Sequence, residues 1–246
     1  MSDERTQRGI ERSLRIYYDD QRDTAAMDAL YRRFVKADAL VFDVGSHVGD
    51  RLAAFRRLGA RVIGCEPNPA LVPTLRRLYG GDDKVMLEEV AVGAASGEIE
   101  MRINTDNPTV STASTDFVKA SQGVPGWEGQ TWDKSIKVPV TTLDALIAKH
   151  GMPAFVKIDV EGFEAEALAG LTKPVPALSF EFTTIQRDVA YACLARCQAL
   201  GYTRYNAALG ESQRMAHDDW QSVEAIEAWL AALPMQANSG DVYATR

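Results

Sequence analysis

The chain has 246 residues, 46% of them hydrophobic and 25% charged, with a formal net charge of −7. That is enough for one α/β domain with its own core, and the acidic balance speaks against a nucleic-acid or other polyanionic partner. No apolar run approaches a membrane span, and Met1-Ser2-Asp3-Glu4-Arg5 lacks the apolar stretch of a secretory signal, so a cytoplasmic protein is expected.

Residues 1 to about 36 read as an amphipathic helical cap, with Ile10, Leu14 and Tyr17 and then Met27, Leu30, Tyr31 and Phe34 at helical spacing. Arg5, Arg8, Arg12 and Arg15 mark its solvated face. From residue 37 to 246 a single α/β domain is expected. It begins with a strand at 39–44, a helix at 48–58, a strand at 61–66, a helix at 69–79 opened by Asn68 as its cap, and a strand at 84–90. Repeated βα units require right-handed crossovers, which give a mostly parallel sheet covered on both faces.

The first strand ends in Asp43-Val44-Gly45-Ser46-His47-Val48-Gly49-Asp50, and the second ends in Cys65-Glu66-Pro67-Asn68. Gly45 and Gly49 allow the backbone to approach a ligand, while Glu66, about twenty residues past the turn, suits the hydroxyls of a ribose. The glycines are spaced G-x-x-x-G rather than as a dinucleotide fingerprint. A carboxylate at Asp43 would repel a pyrophosphate but attract a sulfonium or ammonium, which favours S-adenosylmethionine over NAD.

A short strand at 99–103 leads into residues 104–135, rich in Asn, Thr, Ser, Gly and Pro, with Trp127 and Trp132 embedded. A loop of that length is expected to be a lid over an acceptor pocket. Regular structure resumes with a strand at 136–140, a helix opened by Thr142, an apolar strand running to Lys157, Asp159 and Glu161, a strand at 177–182 ending near Glu181, a helix at 186–199, a strand at 202–207 and a last strand at 241–246. Alternation puts Lys157, Asp159 and Glu161 on one strand face, where three ionisable groups are costly unless paired or working. That strand is expected to neighbour the first one across the reversal of strand order. Cys65, Cys193 and Cys197 lack zinc-ligand spacing and are expected to be reduced packing residues.

Asp43-Val44-Gly45 through Gly49, Glu66-Pro67-Asn68, Ala91-Val92-Gly93 with Gly97-Glu98, Thr142-Leu143-Asp144 and above all Lys157-Ile158-Asp159-Val160-Glu161-Gly162 with Glu164 resemble the FkbM family of S-adenosylmethionine-dependent methyltransferases over about residues 39–205. The resemblance implies a class I methyltransferase-like Rossmann fold with a seven-stranded sheet, and O-methylation of a small-molecule, sugar or natural-product hydroxyl. It also implies a cofactor site of Asp43, Gly45, Ser46, His47, Gly49, Asp50, Glu66, Pro67, Asn68, Ala91, Lys157 and Asp159. Asp159 is the first candidate for base or acceptor-orienting group, with Glu181 and His47 behind it, and Glu161, Glu181, Trp127 and Trp132 are the candidates for contacting the acceptor. Ser46-His47 stands where the family generally has Ala-Asn, so His47 is either a base, its ordinary pKa being near neutrality, or a residue that packs over the cofactor or caps the helix. No metal site is expected, although Asp159, Glu161 and Glu181 could gather around a cation. N-methylation, an NAD-linked oxidoreductase and a non-catalytic nucleoside-binding module are the competing functions, and the oligomeric state is open.

Overall fold

A computed structural model describes residues 4–18 and 24–246; positions 1–3 and 19–23 of the expected helical cap lie outside the described residues. Helices α1 (Glu4–Tyr17) and α2 (Thr24–Tyr31) precede a βα alternation of β1 (Leu40–Val44), α3 (Asp50–Arg57), β2 (Arg61–Cys65), α4 (Val72–Tyr79) and β3 (Val85–Glu88). Next come β4 (Ala91–Val92), β5 (Gly97–Ile103), α5 (Thr115–Ala120) and β6 (Lys134–Thr141). The chain then continues through α6 (Leu143–His150), β7 (Phe155–Ile158), α7 (Glu164–Ala169), β8 (Ala177–Thr183), α8 (Arg187–Ala199), β9 (Arg204–Leu209), α9 (Val223–Ala232) and β10 (Ser239–Thr245).

The main sheet has seven strands in the order β3-β2-β1-β7-β8-β10-β9, and β4-β6-β5 form a smaller sheet. Pairings among β3, β2, β1, β7 and β8 are parallel, whereas β10 runs antiparallel to both its neighbours. This is the class I methyltransferase-like Rossmann arrangement. Strand order reverses between β1 and β7, so the crevice beyond their carboxyl ends is where a ligand is expected to sit.

Every residue of β1 is buried because both sheet faces are covered. On one face Phe42, Val44, Val156, Ile158 and Phe180 pack with Leu143, Leu168, Leu194 and Ile226 from α6 to α9. On the other, Val41, Phe155 and Tyr243 meet Met27, Tyr31, Leu52 and Phe55 from α2 and α3. The three cysteines are free and buried, as packing residues should be.

Several boundaries differ from the sequence pattern. Helix α4 starts at Val72, with Leu71 at its N-cap, because Asn68 Oδ1 accepts instead from Ala70 N at 3.1 Å and holds a separate turn. The strand expected at 84–90 ends at Glu88, and the chain then leaves the main sheet to pair with β6 as the separate strand β4. Thr142 does cap α6, its hydroxyl accepting from Ala145 N at 3.0 Å. Residues 104–133 are folded rather than a plain loop. A 3-10 turn at Pro108–Val110 and helix α5 pack Val110, Phe117 and Trp127 into a satellite core with Val124, Trp132 and Ile185.

Candidate functional site

The tip of β1 turns at Gly45, whose φ is +86° and whose added Cβ would lie 1.8 Å from the Asp159 carbonyl oxygen, so only glycine fits. Gly45 N and Ser46 N both donate to the Cys65 carbonyl at 3.0 Å, locking the turn to the end of β2. Ser46 Oγ donates to the Asp43 carbonyl at 2.9 Å. Gly49 also has a φ of +86°, and a Cβ there would meet the Tyr79 ring at 2.6 Å.

Glu66 extends from β2 into this crevice and is 5% exposed. Its Oε2 accepts from His47 N and its Oε1 from Asn68 N, both at 2.8 Å. Each oxygen keeps a second lone pair for a ligand hydroxyl. Burial pushes the Glu66 carboxyl up to about 7 and, more than the nearby Asp50, does the same to Asp43.

The second acidic cluster departs from the expected alternation. β7 ends at Ile158, so Lys157, Asp159 and Glu161 do not share one strand face; Asp159 follows the strand tip and Glu161 lies in a turn at φ +53°. The buried Lys157 ammonium lies under the crevice, 3.0 Å from Asp159 Oδ2 and 2.7 Å from Asp241 Oδ1. Burial works against ionisation of Asp159, yet Lys157 and Arg51 hold its carboxyl below the usual range. Burial and the Asp159 charge push Glu161 and Glu181 well above theirs. One carboxylate oxygen from each of Asp159, Glu161 and Glu181 can be chosen so that all three lie within 4.8 Å of one another.

Two adjoining cavities open here. The first, about 600 Å³, is lined by Gly45, His47, Glu66, Pro67, Asn68, Ala91, Asp159 and Glu161 together with the apolar side chains of Leu71, Val92, Met101 and Phe163. The second, about 1050 Å³, is lined by His47, Asp50, Trp127, Asp159, Glu161 and Glu181, and also by Tyr17, Arg51, Thr183, Glu211, Asn238 and Ser239. Gly45, His47, Thr109, Asp159 and Glu161 belong to both. An apolar slot with a ribose-ready carboxylate at one side fits an adenine nucleoside, and the cradle at Gly45 leaves its backbone accessible.

Asp43, Ser46, Gly49, Lys157 and Trp132 line neither cavity. Asp43 is 1% exposed and faces Lys157 across the β1/β7 register. Trp132 packs its ring edge-on to Phe117 and donates its indole N–H to the Val110 carbonyl at 2.8 Å. His47 adopts a φ of +49° with Tyr17 edge-on at 5.4 Å, and burial lowers its imidazole to about 4. It is therefore neutral at pH 7.

Sequence reasoning missed Met101, Thr109 and Phe163 in the first cavity and Arg51, Asn238 and Ser239 in the second. Arg51 follows Asp50 on the opening turn of α3 and bonds Asp50 Oδ2 at 2.7 Å and Glu211 Oε1 at 2.9 Å. Asn238, just before β10, and Ser239, its first residue, carry no local sequence signal for that edge.

A family model described as the methyltransferase FkbM domain matches residues 43–232. The hexuronic acid methyltransferase AglP of Haloferax volcanii is 27% identical over 158 residues, covering 62% of this chain and 58% of that relative's length. Among solved structures, a TehB-like SAM-dependent methyltransferase from Corynebacterium glutamicum is similar at a TM-score of 0.49 and 12% identity, covering 96% of this chain and 93% of that one. A precorrin-6y C5,15-methyltransferase from Geobacter metallireducens is similar at 0.45 and 13% identity, covering 91% and 87%. Among the described residues no helix is long and apolar enough to cross a membrane.

Proposed function

The chain belongs to the FkbM methyltransferase family, whose cofactor is S-adenosylmethionine, and from that premise we propose that it methylates a hydroxyl oxygen on a sugar-like or other small polar acceptor. The observation that carries the proposal is the pair of adjoining cavities that share Gly45, His47, Thr109, Asp159 and Glu161, one apolar with Glu66 at its side and the other rich in carboxyl groups.

In this reading Glu66 holds the ribose, while Leu71, Val92, Met101 and Phe163 enclose the adenine side. When bound, the cofactor supplies a methyl group already activated by the positive sulfur. The protein's main task is then alignment, which can contribute about 7–11 kcal/mol. Asp159 is the acceptor-orienting group: held ionised by Lys157 and partly buried at the shared wall, it accepts a hydrogen bond from the acceptor hydroxyl. Proton removal from that hydroxyl adds a smaller factor of about 10²–10⁴. The neutral imidazole of His47 is the second group at the same wall able to take a proton.

The relative from Haloferax volcanii acts on a hexuronic acid by its name, which supports a glycan acceptor here. A second reading, transfer to an amine nitrogen, is favoured by the convergence of Asp159, Glu161 and Glu181, since carboxylates attract an ammonium. Incubation with methyl-labelled S-adenosylmethionine and a panel of neutral sugars, hexuronic acids, amino sugars and amines separates the two. Label appearing as a methyl ether on a hydroxyl is expected. Label found only on nitrogen establishes the second reading, and no label on any class, with no cofactor binding by calorimetry, ends both.

A further inference from the structure

Glu164 opens α7 and is 2% exposed, yet it lines neither cavity. Its Oε1 accepts from the backbone N–H of Val160 at 2.9 Å and of Gly162 at 3.3 Å. Those two amides flank Glu161, a residue with a side chain in a left-handed conformation at φ +53°. Such a backbone is disfavoured for a residue bearing a Cβ and persists only where its surroundings impose it. Thr112 supplies a restraint from the opposite side, its Oγ1 donating to the Glu161 carbonyl at 2.6 Å. The next residue, Gly162 at φ +86°, is confined as well, since a Cβ there would meet Gln186 Oε1 at 2.4 Å and Phe117 Cδ2 at 2.8 Å. The turn is thus gripped at both neighbouring amides and at its own carbonyl, while Glu161 lines both cavities and its carboxyl comes within 4.8 Å of those of Asp159 and Glu181.

We propose that Glu164 is a positioning residue that, through the Val160 and Gly162 amides, holds the Glu161 carboxyl at the junction of the cofactor and acceptor cavities. The inference rests on the cofactor reading above and adds a residue that touches no ligand. A short acidic helix start would by itself serve only to begin α7; what distinguishes positioning is that the effect of Glu164 passes through Glu161.

The test is a double-mutant cycle read by calorimetric titration with S-adenosylhomocysteine, using the full chain. Glu164→Ala and Glu161→Ala are each expected to weaken binding about tenfold, and the double variant to be no weaker than Glu161→Ala alone. Glu164→Gln, which keeps an acceptor oxygen for both amides, is expected to bind within about threefold of the wild type. Additive losses in the double variant would overturn the proposal. So would wild-type affinity in Glu164→Ala alongside a lowered melting temperature, or no effect of Glu161→Ala. If Glu164→Ala does not fold, Glu164→Asp, whose shorter side chain draws the carboxylate away from both amides, carries the same cycle: its loss of affinity must vanish in the Glu161→Ala background, and persistence of that loss refutes the assignment. A wild-type protein that binds neither S-adenosylhomocysteine nor S-adenosylmethionine is a different failure, visible before any variant is made, and it removes the cofactor reading itself.

Discussion

Lys157 Nζ lies 2.7 Å from Asp241 Oδ1, so one buried ammonium on β7 reaches past β8 to β10, the last strand in chain order, while also bonding Asp159 at the crevice. Removing that ammonium strands two carboxylates at once. Lys157→Met is expected to lower unfolding free energy in urea by about 3–5 kcal/mol, the usual cost of breaking a buried pair from one side. Lys157→Met combined with Asp241→Asn should lose less than Lys157→Met alone, because one orphaned charge has gone. A double variant less stable than the single one would show that the charge pair is not the source of the loss.

Glu66 bridges two backbone amides and still faces the first cavity. Hydrogen bonds to a charged group are worth about 1.5–3 kcal/mol, so Glu66→Ala is expected to weaken S-adenosylhomocysteine binding by about 10- to 100-fold in calorimetric titration. Glu66→Gln, which keeps an acceptor for one amide, should fall between the two. Unchanged affinity in Glu66→Ala would take the ribose away from this side chain.

Burial raises Asp43 and Glu66 from ordinary values of 3.8 and 4.5 to about 7. Their folded-state pKa exceeds the unfolded one, so the stability they contribute to the ligand-free protein is fully present below about pH 4 and is lost as pH rises through about 7. A cationic ligand has the opposite preference, since it favours the ionised carboxylates. Affinity for S-adenosylmethionine should therefore rise between pH 6 and 8 with release of protons, detectable as a buffer-dependent heat, and more steeply than for S-adenosylhomocysteine, which lacks the sulfonium charge. His47, lowered to about 4, stays neutral across that window. Asp43→Asn should flatten the profile, and a profile as steep as wild type in that variant would exclude Asp43 from the linkage.

The two halves of the site differ in how readable they were from residues alone, and the difference is physical. Asp43 lies one residue before the end of the apolar strand β1 and Glu66 directly after the apolar strand β2, so β1, β2 and the intervening helix follow from local pattern. The parallel neighbour β7 was legible in the same way, as was its place beside β1. The alternation rule then failed beyond Ile158, because the backbone leaves extended geometry at a turn whose conformation is imposed by Thr112 and Glu164, neither of them adjacent to Glu161 in sequence. Residues 104–133 carry no period because their order comes from distant partners, among them the Arg5 bonds to Asp106 and Asp133 and the Trp127 bond to Asn238. The acceptor-side wall formed by Asn238 and Ser239 was unreadable for the same reason: it exists only once β10 has inserted between β8 and β9.

Trp127 is where that inserted segment is fastened. Its ring meets Phe117 edge-on at 5.1 Å, its Nε1 donates to Asn238 Oδ1 at 3.1 Å, and its remaining surface lines the second cavity and not the first. Trp127→Phe keeps an aromatic ring against Phe117 but loses the indole donor, at an expected cost of about 1 kcal/mol, and S-adenosylhomocysteine affinity should stay within about twofold of wild type because the first cavity is untouched. Trp127→Ala removes the anchor altogether. Large-to-small changes of this kind cost about 3–5 kcal/mol, and here the loss should fall on the inserted segment first, since its satellite core is a small cluster in which Trp127 packs with Val110, Phe117, Val124, Trp132 and Ile185. Hydrogen exchange of the amides of α5 should accelerate in Trp127→Ala well before those of β1 and β7. Equal protection of α5 in wild type and Trp127→Ala would mean that the segment is held by its other contacts, the Thr112 bond to Glu161 foremost.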